Sequence, residues 1–159
     1  MKTLFLLCGA PGSGKTTFAK EKLIPHLNSV TYVSRDDIRY SFLNETDDYF
    51  AHEDEVFNEY IKDIQEGIKN SDNIICDATH LTERARNSVL DRLDLSNIDI
   101  IHIFYFLSSL NVCLERNERR TDRAKIKRGI VRRMYFSIEI PSQEEKYGNL
   151  YRIEFILSL

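Results

Sequence analysis

The residues with the clearest chemistry form a glycine-rich octapeptide near the amino terminus. Its sequence is Gly9-Ala10-Pro11-Gly12-Ser13-Gly14-Lys15-Thr16. This order fits the pattern G-x-x-x-x-G-K-[ST], in which glycines let the backbone bend so that successive N–H groups point into one concavity. Lys15 can reach the β- and γ-phosphates of a nucleoside triphosphate, and the Thr16 hydroxyl can coordinate Mg²⁺. The octapeptide predicts a phosphate-binding loop (P-loop), and we include Thr17 among the residues expected to bind ATP.

A second polar cluster follows the next predicted strand and reads Ser34-Arg35-Asp36-Asp37-Ile38-Arg39. In an open α/β sheet, ligands sit outside the carboxyl ends of the strands, so this cluster is expected to face the P-loop. One of its carboxylates could accept the proton of an attacking hydroxyl, and an arginine three residues on could hold an anionic acceptor. The same pattern is typical of a solvated turn with ordinary salt bridges, and both interpretations stay open.

Asp77 closes the apolar run Ile74-Ile75-Cys76, as the acid at the end of a Walker B strand does. It could orient Mg²⁺ or hold the base, and its structural alternative is a cap for the following helix. His80 is more typical of a hydrogen-bonded loop residue than of a catalyst. The histidines show no spacing that suggests a metal, so we predict no zinc site.

Basic residues are concentrated between Arg116 and Arg133, where nine arginines and lysines face only two acids. This segment carries a charge of +7, whereas the whole chain has a net charge of −3. Arginines on a flexible lid can stabilise the charge that develops on a transferred phosphoryl group while they exclude water. We therefore expect a lid at approximately 116–133, although a solvated basic face is the alternative for any single arginine.

These residues need elements to position them, and short apolar runs alternate with stretches of helical period along the chain. The predicted strands are Thr3–Cys8, Val30–Ser34, Asn73–Asp77, Ile98–Leu107 and Tyr151–Leu157, the last with the alternation of an edge strand. The predicted helices are Lys15–Ile24, Asp48–Lys69 with a possible break near Glu53, Thr82–Leu93, Leu110–Arg119, Val131–Glu139 and a short one from Ser142 to Gly148. This alternation predicts an α/β fold with a parallel sheet covered by helices.

Length and composition are those of one domain, which we place at 1–159, with 159 residues of which 42% are hydrophobic. No apolar run approaches the roughly 20 residues that cross a bilayer. The three cysteines are an odd number and form no C-x-x-C pair, which favours a reducing compartment, and we expect a cytoplasmic protein.

Four motifs together resemble the kinase domain of phage polynucleotide 5′-kinase and related small P-loop kinases. They are GAPGSGKTT, SRDDIR, IICDATHL, and RNERR followed by RGIVRRMY. The resemblance implies a three-layer P-loop NTPase fold with a five-stranded parallel sheet, helices on both faces, an Arg-rich lid, and ATP with Mg²⁺ as donor. It further implies that Lys15 and Thr16 are the phosphate and metal residues, Asp36 the general base, Arg39 the acceptor-phosphate ligand and Arg120 the lid arginine. Asp77 matches the third-strand acid, next to the metal and the acceptor.

The expected activity is transfer of the γ-phosphate of ATP to an alcohol group, most simply the 5′-hydroxyl of RNA or DNA. A small-molecule kinase is the alternative, with a nucleoside, sugar-nucleotide or antibiotic hydroxyl as acceptor. A GTP switch protein would need an Asn-Lys-x-Asp motif, and no Asn-Lys pair occurs in the chain. A ring-forming mechanical ATPase would have an acid directly after Asp77, where this chain has Ala78.

Overall fold

Five parallel strands form one sheet at the centre of the computed structural model, which describes residues 1–121 and 125–157. The strands are β1 (Thr3–Cys8), β2 (Val30–Ser34), β3 (Asn73–Asp77), β4 (Ile100–Leu107) and β5 (Tyr151–Leu157). Their order is β2-β3-β1-β4-β5, and every neighbouring pair is parallel. The predicted strands are confirmed, including β5 at an edge, and only β4 begins later than expected.

The helices connect the strands. They are α1 (Lys15–Phe18), α2 (Arg35–Phe42), α3 (Glu53–Asn70), α4 (Glu83–Leu90), α5 (Leu110–Glu118) and α6 (Arg128–Phe136). α1 continues as a π-helical segment over Ala19–Leu23 and a 3-10 turn over Ile24–His26, which contains Pro25. Another 3-10 turn, Gly148–Leu150, leads into β5. None of the described helices combines the length and apolar character needed to cross a bilayer.

Apolar side chains cover both faces of the sheet, as the uninterrupted apolar sequence of β1 predicts. Leu4 and Leu6 belong to a cluster with Ile64 of α3 and Leu90 of α4. On the opposite face, Phe5 and Leu7 pack in a cluster with the helical segment after the P-loop. Helices therefore lie on both sides of the sheet, and the three-layer P-loop NTPase fold is confirmed.

Helix α2 arises from the polar cluster after β2. The Ser34 hydroxyl accepts the backbone N–H of Asp37 at 3.2 Å and caps the helix. Asp36 and Asp37 lie in the first turn, where negative charge is favourable to the helix dipole. The interpretation of this segment as a solvated turn is therefore wrong, and the helix holds Asp36 and Arg39 one turn apart.

The predicted helix from Ser142 to Gly148 does not form. Its capping contact exists, because the Glu145 carboxylate accepts the Ser142 N–H at 3.1 Å. However, Glu145 is buried and also accepts two hydrogen bonds from Arg86, at 2.9 and 2.7 Å. The segment forms a series of turns, which places Glu145 beside Arg86, instead of a helix.

Candidate active site

The P-loop connects β1 to α1 and depends on two glycines with positive φ, Gly12 at 82° and Gly14 at 95°. Side chains other than glycine rarely adopt this conformation. A Cβ on Gly12 would also lie 2.5 Å from the carbonyl oxygen of Cys113 in α5. Both the backbone conformation and the packing against α5 therefore require glycine at position 12.

Lys15 lies within the P-loop, with its ammonium group 2.9 Å from the carbonyl oxygens of both Gly9 and Ala10. The side chain is buried. Burial lowers the pKa of Lys15, and the negative charges of Asp77 and Asp36 act in the opposite direction. A lysine ammonium group held inside the P-loop is suited to bind the terminal phosphates of a nucleotide.

Thr16 and Asp77 are in direct contact, although 61 residues separate them in the chain. The Thr16 hydroxyl donates to the Asp77 carboxylate at 2.7 Å, and the Tyr32 hydroxyl donates to the same oxygen. Burial, and then the charge of Asp77, raise the pKa of Tyr32, so that its hydroxyl stays protonated. A hydroxyl and a carboxylate in contact beside a phosphate-binding loop are oxygen donors of the kind that Mg²⁺ prefers. The donor set therefore fits a magnesium ion held by Thr16 and Asp77.

Asp36 belongs to a hydrogen-bonded network with Arg39, Tyr49 and Glu53. Its Oδ1 accepts hydrogen bonds from the Arg39 guanidinium and, at 2.5 Å, from the Tyr49 hydroxyl. Burial, followed by the charge of Asp36, raises the pKa of Tyr49, which keeps this hydroxyl a donor. The Asp36 side chain is 45% exposed, against 6% for Arg39, so its carboxylate remains accessible from the cleft.

Arg39 is held from the other side by Glu53, the first residue of α3. Its Nε and Nη2 donate to the two carboxylate oxygens of Glu53 at 2.8 and 2.7 Å, while its Nη1 contacts Asp36 and Tyr49. Burial opposes the charged form, but the Glu53 hydrogen bonds together with the charges of the neighbouring groups, including Glu53 and Asp36, outweigh it and raise the pKa of Arg39. A guanidinium has five N–H groups, so these four bonds leave one for an acceptor.

The arginines expected on the lid lie partly at the same cleft. Arg116 of α5 donates to the carbonyl oxygen of Gly12 at 3.2 Å, and both Arg116 and Arg120 line the cleft. The Asn117 side chain donates to the backbone oxygen of Ile126 at 2.6 Å and accepts its N–H at 3.0 Å. These bonds join Asn117 of α5 to Ile126, which lies just before α6. Of the predicted lid, residues 122–124 lie outside the described part of the chain.

His80 is a structural residue, as its position in a loop predicts. Its Nδ1 is 2.6 Å from the Leu7 carbonyl oxygen and its Nε2 is 3.1 Å from the Tyr60 hydroxyl. Burial lowers the pKa of His80 to about 4. Cys8 is also buried, which raises the pKa of its thiol to about 11 and makes it unreactive at neutral pH.

One cleft of about 390 Å³ brings the predicted functional residues together. Its lining includes Pro11, Gly12, Gly14, Lys15, Thr16, Thr17, Asp36, Arg39, Asp77 and Arg120. Gly9, Ala10 and Ser13 are not part of this lining, although the first two contact Lys15 through their carbonyl oxygens. Sequence reasoning missed Tyr49, Phe50 and Glu53, which also line the cleft. No local sequence pattern indicates that these three residues belong to the site, because they interact with residues of α2.

Known proteins share this fold. A chain in the structure of the Pnkp1/Rnl/Hen1 RNA repair complex is 24% identical with a TM-score of 0.71, over 86% of this chain and 43% of that one. Kti12 from Chaetomium thermophilum, in complex with ADP-AlF3, is 17% identical with a TM-score of 0.67, over 96% and 88% of the two chains. A gluconokinase from Sinorhizobium meliloti 1021 is 13% identical with a TM-score of 0.59, over 98% and 82%.

These likenesses show the fold, and this chain spans less than half of the RNA repair chain that it matches. A search of curated proteins found no match. The model of the AAA domain family AAA_33 matches residues 4–141, which is most of the chain. With its P-loop, five-stranded parallel sheet and kinase-like neighbours, the chain belongs to the AAA domain family AAA_33 and has a P-loop kinase-like fold.

Proposed function

We propose that this protein transfers the γ-phosphate of ATP to a hydroxyl group, with the 5′-hydroxyl of a polynucleotide as the acceptor. The observation that carries this proposal is the position of Asp36. An accessible carboxylate, held by two hydrogen-bond donors, lines the same cleft as the P-loop lysine and the Thr16–Asp77 pair. A kinase needs this combination, because the acceptor must lose a proton beside the phosphate that it attacks.

In the proposed mechanism, an oxygen of Asp36 takes the proton of the acceptor hydroxyl while the acceptor oxygen forms a bond to the γ-phosphorus. The bond between that phosphorus and the β–γ bridging oxygen breaks, and ADP leaves with the bond's electron pair. Lys15 and Arg120 stabilise the negative charge on the transferred group. Mg²⁺, held by Thr16 and Asp77, would neutralise phosphate charge. Tyr49 and Arg39 keep the Asp36 carboxylate oriented toward the acceptor.

Kinase chemistry fits this cleft better than the mechanical ATP hydrolysis of ring-forming proteins. Such ATPases use an acid directly after the Walker B aspartate, and here Ala78 follows Asp77. Among the described residues, the carboxylates that line the cleft are Asp36, Glu53 and Asp77. Asp77 contacts Thr16, and Glu53 and Asp36 both pair with Arg39. The Asp36 side chain is 45% exposed, against 29% for Glu53, so we assign Asp36 as the base.

Two observations support a polynucleotide acceptor. Four arginines line the cleft, which suits an acceptor that carries phosphates, and they are Arg35, Arg39, Arg116 and Arg120. The fold is also similar to that of a chain in an RNA repair complex. The three buried cysteines, Cys8, Cys76 and Cys113, are not in disulfides, which fits the cytoplasmic location that we propose.

A small-molecule acceptor is the second candidate, and the pairing of Arg39 favours it. Four hydrogen bonds to protein atoms leave the guanidinium one N–H for an acceptor phosphate, too few for bidentate binding. A neutral hydroxyl compound would not require that contact. The gluconokinase among the similar folds is named for a small-molecule acceptor, gluconate.

The test uses labelled ATP with 5′-hydroxyl oligonucleotides, and with nucleosides and gluconate in parallel. Asp36→Asn is expected to lower phosphate transfer by at least roughly 100-fold while ATP affinity stays the same. Asp37→Asn is the matched control, because Asp37 is the neighbouring acid and does not line the cleft. Full turnover by Asp36→Asn would rule out Asp36 as the base. If only the small alcohols are labelled, the acceptor is a small molecule and the proposed polynucleotide acceptor is wrong.

A further inference from the structure

Phe50 is an exposed aromatic residue at the wall of the candidate active site. Its relative exposure is 39%, and it lines the cleft together with Asp36 and Arg39. The other exposed large hydrophobic residues of the described chain do not line this cleft; they are Met1, Leu107, Phe136, Ile140, Phe155 and Leu157. Phe50 thus presents apolar, aromatic surface in the cleft beside the charged side chains of Asp36 and Arg39.

The neighbours of Phe50 connect its ring to the proposed base. Its ring packs edge-to-face against Tyr49, with centroids 4.6 Å apart and an interplanar angle of 84°. The Tyr49 hydroxyl donates to Asp36 at 2.5 Å. The Arg39 guanidinium lies 4.5 Å from the Tyr49 ring centroid and 5.5 Å from that of Phe50. The ring therefore has a defined position relative to the Asp36 carboxylate.

We propose that Phe50 is a stacking surface for the base of the acceptor's first nucleotide. This inference rests on the proposed kinase function and narrows its substrate class to acceptors that carry a planar base. Aromatic rings bind bases of any sequence, because every base has a π-face. The base and the 5′-hydroxyl are attached to the same sugar, so a base placed on Phe50 brings that hydroxyl toward Asp36. A sugar acid or other polyol has no planar π-face to stack on this ring.

The experiment compares two oligonucleotide acceptors that differ only in their first nucleotide, which is either intact or abasic. Both have the same 5′-hydroxyl and the same phosphates, so a difference between them reports the base alone. For the unmodified protein we expect a KM roughly 5- to 150-fold lower for the intact end, which is the range of one base–aromatic stack. Phe50→Ala is expected to raise the KM of the intact acceptor to that of the abasic one and to leave the abasic KM unchanged.

Two further variants separate stacking from simple packing. Phe50→Trp keeps an aromatic surface and should retain the preference for the intact end, whereas Phe50→Leu keeps apolar volume and should lose most of it. Phe155→Ala is the matched control, because Phe155 is an exposed phenylalanine on β5, away from the cleft. It should behave like the unmodified protein with both acceptors.

The possible failures are distinguishable. Equal KM values for the two oligonucleotides with the unmodified protein would overturn the stacking role but leave the polynucleotide kinase function standing. A raised KM for ATP in Phe50→Ala, with either acceptor, would mean that Phe50 binds the donor's adenine and would also overturn the inference. Absence of phosphate transfer to both oligonucleotides would overturn the proposed acceptor and the stacking role together.

Discussion

Glu53 fixes Arg39 from the side opposite Asp36, so it acts on the proposed base through another residue. We predict that Glu53→Gln lowers kcat for phosphate transfer by up to roughly 100-fold, because the amide cannot accept both guanidinium hydrogen bonds and Arg39 loses its fixed geometry. The KM for ATP should not change, since the hydrogen bonds and ion pairs of Glu53 within the described residues go to Arg35 and Arg39 and not to the P-loop. Steady-state kinetics of both substrates test this prediction.

Glu59→Gln is the matched control for Glu53. Glu59 lies on the same helix, and its ion pair is a long 4.0 Å contact with Lys62. A fall in kcat for both variants would contradict a specific role of Glu53, and so would a KM effect on ATP without a change in kcat.

His80 makes stability depend on pH. In the folded protein its pKa is lowered to about 4, whereas the ordinary value is 6.5, so the unfolded chain binds a proton at a higher pH than the folded chain. Stability is therefore expected to be complete above pH 6.5 and to fall as the pH drops from 6.5 toward 4. The free energy of unfolding that is lost through protonation of His80 amounts to about 3 kcal/mol.

The measurement is urea unfolding across this pH range for the unmodified protein and for His80→Asn. The asparagine cannot be protonated, so the stability of the variant should vary less with pH, even if the variant is less stable than the unmodified protein at neutral pH. His26→Asn, at an exposed site, should keep the original pH dependence. An unchanged pH dependence in His80→Asn would show that other groups cause it.

At the scale of elements, the buried ion pair of Arg86 and Glu145 joins α4 to the turns that precede β5. Their side chains are 0% and 4% exposed, and Arg86 also donates to the His80 carbonyl oxygen at 2.9 Å. We predict that Glu145→Gln costs about 3–5 kcal/mol of unfolding free energy, because it leaves a buried guanidinium without its counter-charge. Urea or thermal unfolding measures the loss.

The double variant Arg86→Met with Glu145→Leu should recover much of that stability, since it removes both charges together. Asp91→Asn, which breaks the exposed pair with Lys146, should have no measurable effect. A small effect of Glu145→Gln would mean that water or another group compensates Arg86.

For the whole molecule, the uneven distribution of charge predicts the response to salt. The segment from Arg116 to Arg133 carries +7 in a chain of net charge −3. If about three acceptor phosphates are bound, raising salt from 50 to 200 mM should weaken oligonucleotide binding roughly 20-fold. The measurement is kcat/KM for an oligonucleotide, with a neutral nucleoside as the matched acceptor whose kcat/KM should change little. Equal salt dependence for both acceptors would argue against binding along a strand.

Local sequence accounts for the strands, for most of the helices and for part of the site. The P-loop could be identified from the sequence because its glycines, lysine and threonine lie within eight consecutive residues. The apolar runs of β1 and β3 likewise indicate strands buried on both faces. Because parallel strands end at the same edge of the sheet, Asp36 and Asp77 were expected near the loop. Helix α2 was missed, although Ser34 followed by Asp36 and Asp37 is a local capping signal.

The remaining contacts join residues that are distant in the chain, and no local pattern encodes them. Glu53 meets Arg39 across 14 residues, and Glu145 meets Arg86 across 59. In the segment from Ser142 to Gly148, the ion pair between Glu145 and Arg86 forms in place of the helix that the local sequence predicts. A charged group that becomes buried must find a counter-charge wherever the fold places one, because an unpaired buried charge costs more than a short helix gains. For that reason the P-loop could be identified from eight consecutive residues, whereas the groups that orient Asp36 became visible only after α2 and α3 were packed together.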